Sequence, residues 1–209
     1  FEIKNKFLKE FLEPNDKVIT YDPNAVLTQN LFVPSLIQEI RQAEDAGAEM
    51  RDITGFLFGD LLNGAGQNRA WIEAARNTFI AILRTIIYYP DLKMTNKMLV
   101  NELRHMSTKE ILAFMSKCPR NHSMLRKDWN YDPEHPQEYV PTRRSFDILF
   151  FLNQVLEKNF SGTFAMEGDD TIHNWINGQY GRSLFILYDV STAEISRGFV
   201  LYYIKKIIQ

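Results

Sequence analysis

Lys17-Val18-Ile19-Thr20-Tyr21 runs directly into Asp22-Pro23-Asn24. A short run of β-branched and aromatic residues closed by Asp-Pro-Asn predicts a strand followed by a turn. Upstream, Ile3, Phe7, Leu8, Phe11 and Leu12 share one helical face between Phe1 and Leu12, and Pro14-Asn15-Asp16 stops that helix. A second strand is predicted near the other end of the chain, at Ser183-Leu184-Phe185-Ile186-Leu187-Tyr188. Its uninterrupted apolar character is that of a strand in a parallel sheet. A helix from Ala193 to Ile208 follows it. Neither end makes a good sheet by itself, so the two strands are expected to come together, with everything between them inserted.

The intervening stretch is helical by pattern. Ser35 with Gln38 predicts a cap for a helix from Leu36 to Ala46, with Gly47 where it should stop. Arg51 to Leu62 predicts another helix despite Gly55 and Gly59, and Asn63-Gly64-Ala65-Gly66 a loop. Arg69 to Tyr89 gives the strongest helical signal, with Trp71, Ile72, Ala75, Phe79, Ile82, Leu83, Ile86 and Ile87 in a wide apolar stripe ended by Pro90. Thr95 is expected to cap Asn96 to His105, and Ser107 with Glu110 forms a capping box for Thr108 to Lys117. Proline-rich Cys118 to Pro141 reads as an extended connection with a short helix. Thr142 then caps Arg143 to Asn159, which offers Phe146, Leu149, Phe150, Leu152, Val155 and Leu156 for burial before Ser161-Gly162 breaks it. Thr171 to Ile176 makes one helical turn. The fold class is therefore mainly α with a small α/β portion.

With 209 residues, 45% of them hydrophobic and 13% aromatic, the chain can bury a sizeable core, which argues against disorder. A net charge of −2 supplies no overall attraction to nucleic acid, so any such contact needs a local patch. One cysteine, Cys118, excludes an internal disulfide framework and fits a reducing compartment. The longest apolar run, Phe79 to Tyr89, is interrupted by Arg84 and falls short of the roughly 20 residues of a membrane span. Starting at Phe1, the chain reads as a piece of something longer.

Phosphate chemistry has no anchor in this sequence. There is no G-x-x-x-x-G-K-[ST], and Asn63-Gly64-Ala65-Gly66-Gln67 lacks the Lys and hydroxyl that such a loop requires. Asp22 and Asp189 end their strands as lone carboxylates, not as the Asp-Glu pair of a Walker B strand. Cys118 and His122 have a zinc-compatible spacing, but nothing nearby completes a ligand set, and neither a catalytic nor a metal site is assigned. The one constellation suited to binding is basic. Lys117, Arg120, Arg126 and Lys127 cluster with Trp129 against Asp128, and Arg143 and Arg144 open the next long helix. Lys and Arg neutralise phosphates and an aromatic can stack on a base, which makes these seven residues candidates for contacting DNA or a partner. Two arginines at a helix N-terminus also oppose the macrodipole, a small cost consistent with use elsewhere. The competing account is a solvated surface with internal salt bridges, favoured by the acids Asp132, Glu134 and Glu138 between the clusters. Trp71 and Trp175, each beside an isoleucine, read as core anchors.

Three stretches in order carry a family resemblance. They are Phe7 to Pro23; Ala70-Trp71-Ile72-Glu73-Ala74-Ala75-Arg76-Asn77-Thr78-Phe79; and Thr171-Ile172-His173-Asn174-Trp175-Ile176 followed by Gly181 to Leu187 and Ile195-Ser196-Arg197. Together they resemble the type IV secretion and conjugation coupling proteins of the TraD/TrwB kind. In that family a helix after the Walker A loop leads to a strand ending in a D-x or D-P turn. A helix opening on a W-x-x-A-A-R type motif lies in an all-α domain. An F-T-I-R-x-W type motif precedes a strand returning to the nucleotide-binding domain. Thr171, Ile172 and Trp175 keep that last pattern, whereas His173 and Asn174 depart from it; Arg197 matches an arginine of the helix that follows.

The resemblance implies that residues 33–165 are an all-α insertion, and that residues 1–32 and 166–209 are parts of a RecA-like P-loop ATPase domain lacking both Walker motifs. It implies ATP and Mg as cofactors of the parent protein, with none held by this piece. It implies a homo-hexamer on the cytoplasmic face of the bacterial inner membrane, the membrane anchor lying outside this piece. The implied partners are a relaxase or relaxosome, a secreted protein substrate, the type IV secretion channel and, weakly, single-stranded DNA. A free-standing helical protein-interaction domain is the alternative.

Overall fold

A computed structural model describes residues 10–178, 183–187 and 194–208. The expected first helix falls outside these residues except for its last three positions, as do Tyr188 and Asp189 after the second strand and Ala193 at the start of the last helix.

The two predicted strands meet. β1 (Lys17–Thr20) pairs in parallel with β2 (Leu184–Leu187), Val18 lying opposite Phe185 and Ile19 opposite Ile186. Val18 and Ile19 are buried, and the other side of β1 is closed by Phe32, whose N–H donates to the Val18 carbonyl at 2.9 Å. All four residues of β2 are half-buried. The turn after β1 forms as the sequence suggests, with the Asp22 carboxylate accepting from the Asn24 N–H at 3.2 Å.

The rest is helical: α1 (Leu36–Gln42), α2 (Ala46–Asn63), α3 (Arg69–Tyr88), α4 (Asn96–His105), α5 (Thr108–Ser116), α6 (His122–Trp129), α7 (Arg143–Asn159), the short α8 (Ile172–Ile176) and α9 (Arg197–Ile208). The caps at Ser35, Thr95, Ser107 and Thr142 occupy the predicted positions, and Ser107 with Glu110 closes a reciprocal capping box. The last helix, expected from Ala193, begins only at Arg197, after a turn at residues 194–196, and a second boundary also differs. The helix expected to continue to Ala46 ends at Gln42, because the Asp45 carboxylate accepts from the N–H groups of Gly47 and Ala48 and starts a new helix there. Gly47 therefore lies in the first turn of α2 and stops nothing.

Helix α3 lies at the centre. Its Ile72, Ala75, Phe79, Ile82, Leu83 and Ile86 are buried against α2, α5 and α7. α9 adds Phe199, Tyr202 and Tyr203 to the same core, which also takes in Ile19 and Phe32. Phe199 stacks on Phe164 at 4.7 Å and meets Phe160 edge-on at 4.9 Å. Strand β1, the helical body and α9 thus share one continuous apolar interior.

The buried face of α7 corrects another expectation. Ile148, Leu152, Val155 and Leu156 face inward, while Phe146 and Phe150, expected in the core, are 60% and 57% exposed. At 3.6 residues per turn Ile148 aligns with Leu152 and Val155, which puts Phe146 and Phe150 on the far side of the helix. An α-helix with apolar residues almost all round leaves the phase of its buried stripe undecided until its neighbours are known.

Candidate functional site

The basic patch is built on four elements. Lys117 caps the C-terminus of α5, with its ammonium 5.9 Å from the centre of the Phe114 ring. Arg120 lies in a 3-10 turn, Pro119–Asn121, wedged in place by Asn121, whose buried amide donates to the Ala81 and Met115 carbonyls, each at 3.0 Å. α6 follows and carries Arg126 and Lys127. α7 begins with Arg143 and Arg144.

These cations are not equivalent. Arg126 is held by Glu134 at 2.8 Å and Asp132 at 3.2 Å. Hydrogen bonds to those two carboxylates push its pKa up, and those from His135, the Glu134 backbone N–H and Arg126 bring Asp132 down to about 2. Arg144 lies 3.8 Å from the buried Asp128 carboxylate, with its guanidinium 5.4 Å from the centre of the Trp71 ring. Asp128 also accepts from the Asn77 amide at 3.1 Å, so Arg144 stitches the N-termini of α3 and α7 to the end of α6. The salt-bridge account therefore applies to Arg126 and Arg144. Lys117, Arg120, Lys127 and Arg143 are exposed, and among the described residues none of them makes an ion pair.

Trp129 does not belong to the surface. It is 2% exposed and its indole N–H donates to the Thr78 hydroxyl at 2.9 Å. It is not available as a stacking platform, since a buried indole with a satisfied N–H anchors α6 onto α3. The exposed aromatics near the N-terminus of α7 are Phe146 and Phe150, one helical turn apart and both C-terminal to Arg143 and Arg144. Nothing local marks this, because both residues read as core in an apolar helix.

No group of three or more His, Cys, Asp or Glu side chains able to hold a metal occurs among the described residues. Cys118 is buried, and His122 is engaged through Nε2 with the Ser116 carbonyl at 2.9 Å. A concave surface does exist elsewhere on the helical body. It is an apolar groove of about 260 Å³ between α3, α4 and α5, lined by Ile86, Met94, Met98, Met106 and Phe114.

Comparison with known proteins adds no assignment. No protein-family model, curated protein or solved structure matches the chain. No helix among the described residues is long and apolar enough to cross a membrane.

Another cluster was not foreseen. Glu39 on α1 is 2% exposed, and its Oε1 accepts the Ile172 N–H at the start of α8 at 2.6 Å. The Tyr203 hydroxyl of α9 also faces it and favours its ionised form. Burial pushes the Glu39 carboxyl up to about 7, against the Ile172 N–H and the nearby Lys206, which favour its ionised form. Glu49 on α2 stands next to it, paired with Lys206 at 3.1 Å and hydrogen-bonded by the Tyr202 hydroxyl. The sequence did carry a trace of this cluster: Glu39 interrupts the buried run Leu36, Ile37, Ile40 on one helical face.

Proposed function

We propose that this chain is part of a conjugation or type IV secretion coupling ATPase, and that it engages a DNA–relaxase complex or a protein substrate for export. On this reading residues 1–32 and 166–209 belong to a RecA-like nucleotide-binding domain. Residues 33–165 are its all-α insertion, and the parent acts as an ATP- and Mg-dependent hexamer on the cytoplasmic side of the inner membrane. The observation that carries the reading is the parallel pairing of β1 with β2, two short strands from opposite ends of the chain with the helical body between them. A parallel pair needs a crossover connection, and a pair of four-residue strands is not a self-sufficient sheet. The order of the three stretches that resemble coupling proteins supports the same reading. By itself the piece would not hydrolyse ATP, since it contains no phosphate-cradling loop.

Substrate contact is assigned to Lys117, Arg120, Lys127 and Arg143, which make no ion pair among the described residues, with Phe146 and Phe150 as neighbouring surfaces on which unpaired bases can stack. The deciding experiment is to sequence the coding region on both sides. This reading expects G-x-x-x-x-G-K-[ST] a few residues before Phe1 and an apolar strand ending in Asp-Glu after Gln209. If neither motif is present, the motor assignment fails and a protein-interaction domain takes its place.

A further inference from the structure

The Glu39 cluster sits where three parts of the chain converge. α1 provides Glu39. The segment leading into α8 crosses it, with the Ser35 N–H donating to the Asp170 carbonyl at 2.9 Å and the Asp170 N–H to the Val33 carbonyl at 3.1 Å. The Asp170 carboxylate accepts the Val33 N–H at 2.7 Å, and the Thr171 hydroxyl donates to Gln42 at 2.7 Å. α9 closes the cluster from the third side with Tyr202, Tyr203 and Lys206.

Glu39 is set apart within this joint, because its carboxyl is buried and its neighbours conflict. Facing it are Glu49 from α2, which disfavours its charge, Lys206 and the Tyr203 hydroxyl from α9, which favour it, and the Ile172 N–H from α8. Tyr202 and Asp170 complete the titratable surroundings through their contact with Tyr203 and Glu49. Lys206 is already committed to Glu49, so it compensates Glu39 only at a distance.

We propose that Glu39 is a proton-operated latch: protonated, it holds α8 and α9 closed on α1, and ionised, it loosens them. The inference does not rest on the motor reading and holds for a free-standing domain as well. A buried carboxyl favours its neutral form, and opening the joint returns it to water, where it ionises as an ordinary carboxylate. The stabilisation is therefore complete below the ordinary carboxylate range and is lost as pH rises through about 7.

The test is amide exchange at Ile172 in the whole chain, followed by NMR and corrected for the intrinsic effect of pH, together with the carboxyl carbon signal of Glu39. The latch predicts opening about tenfold more frequent at pH 8 than at pH 6. It also predicts more frequent opening at Ile172 than at Ile82 in the centre of α3. Glu39→Gln keeps an acceptor oxygen but cannot ionise, and should make opening independent of pH. Tyr203→Phe removes a hydroxyl that favours the ionised form, and should move the Glu39 midpoint to higher pH. PH-independent opening in the parent chain overturns the proposal, as does the same tenfold rise in Glu39→Gln. Equal protection at Ile172 and Ile82 overturns it too, since that describes unfolding of the whole chain. If Glu39→Gln does not fold, an unchanged midpoint in Tyr203→Phe is sufficient to reject it.

Discussion

Individual side chains decide which part of the basic patch is available. Arg126 and Arg144 are committed to carboxylates, and Trp129 to Thr78, so four of the seven candidates, Lys117, Arg120, Lys127 and Arg143, remain to meet a partner. Trp129→Phe removes the indole donor and part of the packing. It should cost about 1–2 kcal/mol in urea unfolding, with nucleic-acid affinity unchanged. A fall in affinity at constant stability would return Trp129 to the site. Which cations are paired was not legible beforehand. Asp132 and Glu134 were visible as neighbouring acids, but the link from Arg144 to Asp128 depends on how α6 and α7 approach α3, which no local spacing encodes.

At the scale of elements, caps and breaks were legible and helix phase was not. Ser107, Thr95 and Thr142 announce their helices through local hydrogen bonds, so their positions follow from a few adjacent residues. The inward face of α7 is set by α3 instead. Phe150→Ala should therefore change stability by no more than about 0.5 kcal/mol, whereas Leu152→Ala should cost about 2–5 kcal/mol. Comparable losses for the two would mean that the helix is rotated from the orientation described. Close approach of the backbone imposes a second constraint, at Gly198. A Cβ there would lie 2.8 Å from the Leu57 Cα and 2.7 Å from the Asn159 Oδ1, because α9 crosses α2 at that point. Gly198→Ala should be destabilising by about 1–3 kcal/mol even though alanine favours helix, an outcome that thermal unfolding would read directly. Neutral or increased stability would show that α9 does not cross α2 so closely.

For the molecule as a whole, the order of elements was the most legible property. An α/β start, a long helical middle and a β/α end follow from periodicity and breakers, and the two strands do pair. What escaped the sequence was the continuity of the interior, in which Phe199 and Tyr203 of α9 pack into the same core as α2 and α3. The predicted interaction with nucleic acid also belongs at this scale. With a net charge of −2, binding of single-stranded DNA should be weak and fall steeply with salt. Reversing Lys117, Arg120, Lys127 and Arg143 together should abolish it, as read by fluorescence anisotropy at low and moderate salt; unchanged binding would move the contact surface elsewhere. The most direct test of the whole account is the pairing of the chain's two strands. Interstrand proton contacts measured by NMR should connect residues 17–20 with residues 184–187 in parallel register, Val18 opposite Phe185. Antiparallel contacts, or none between these segments, would contradict the fold and take the motor assignment with it.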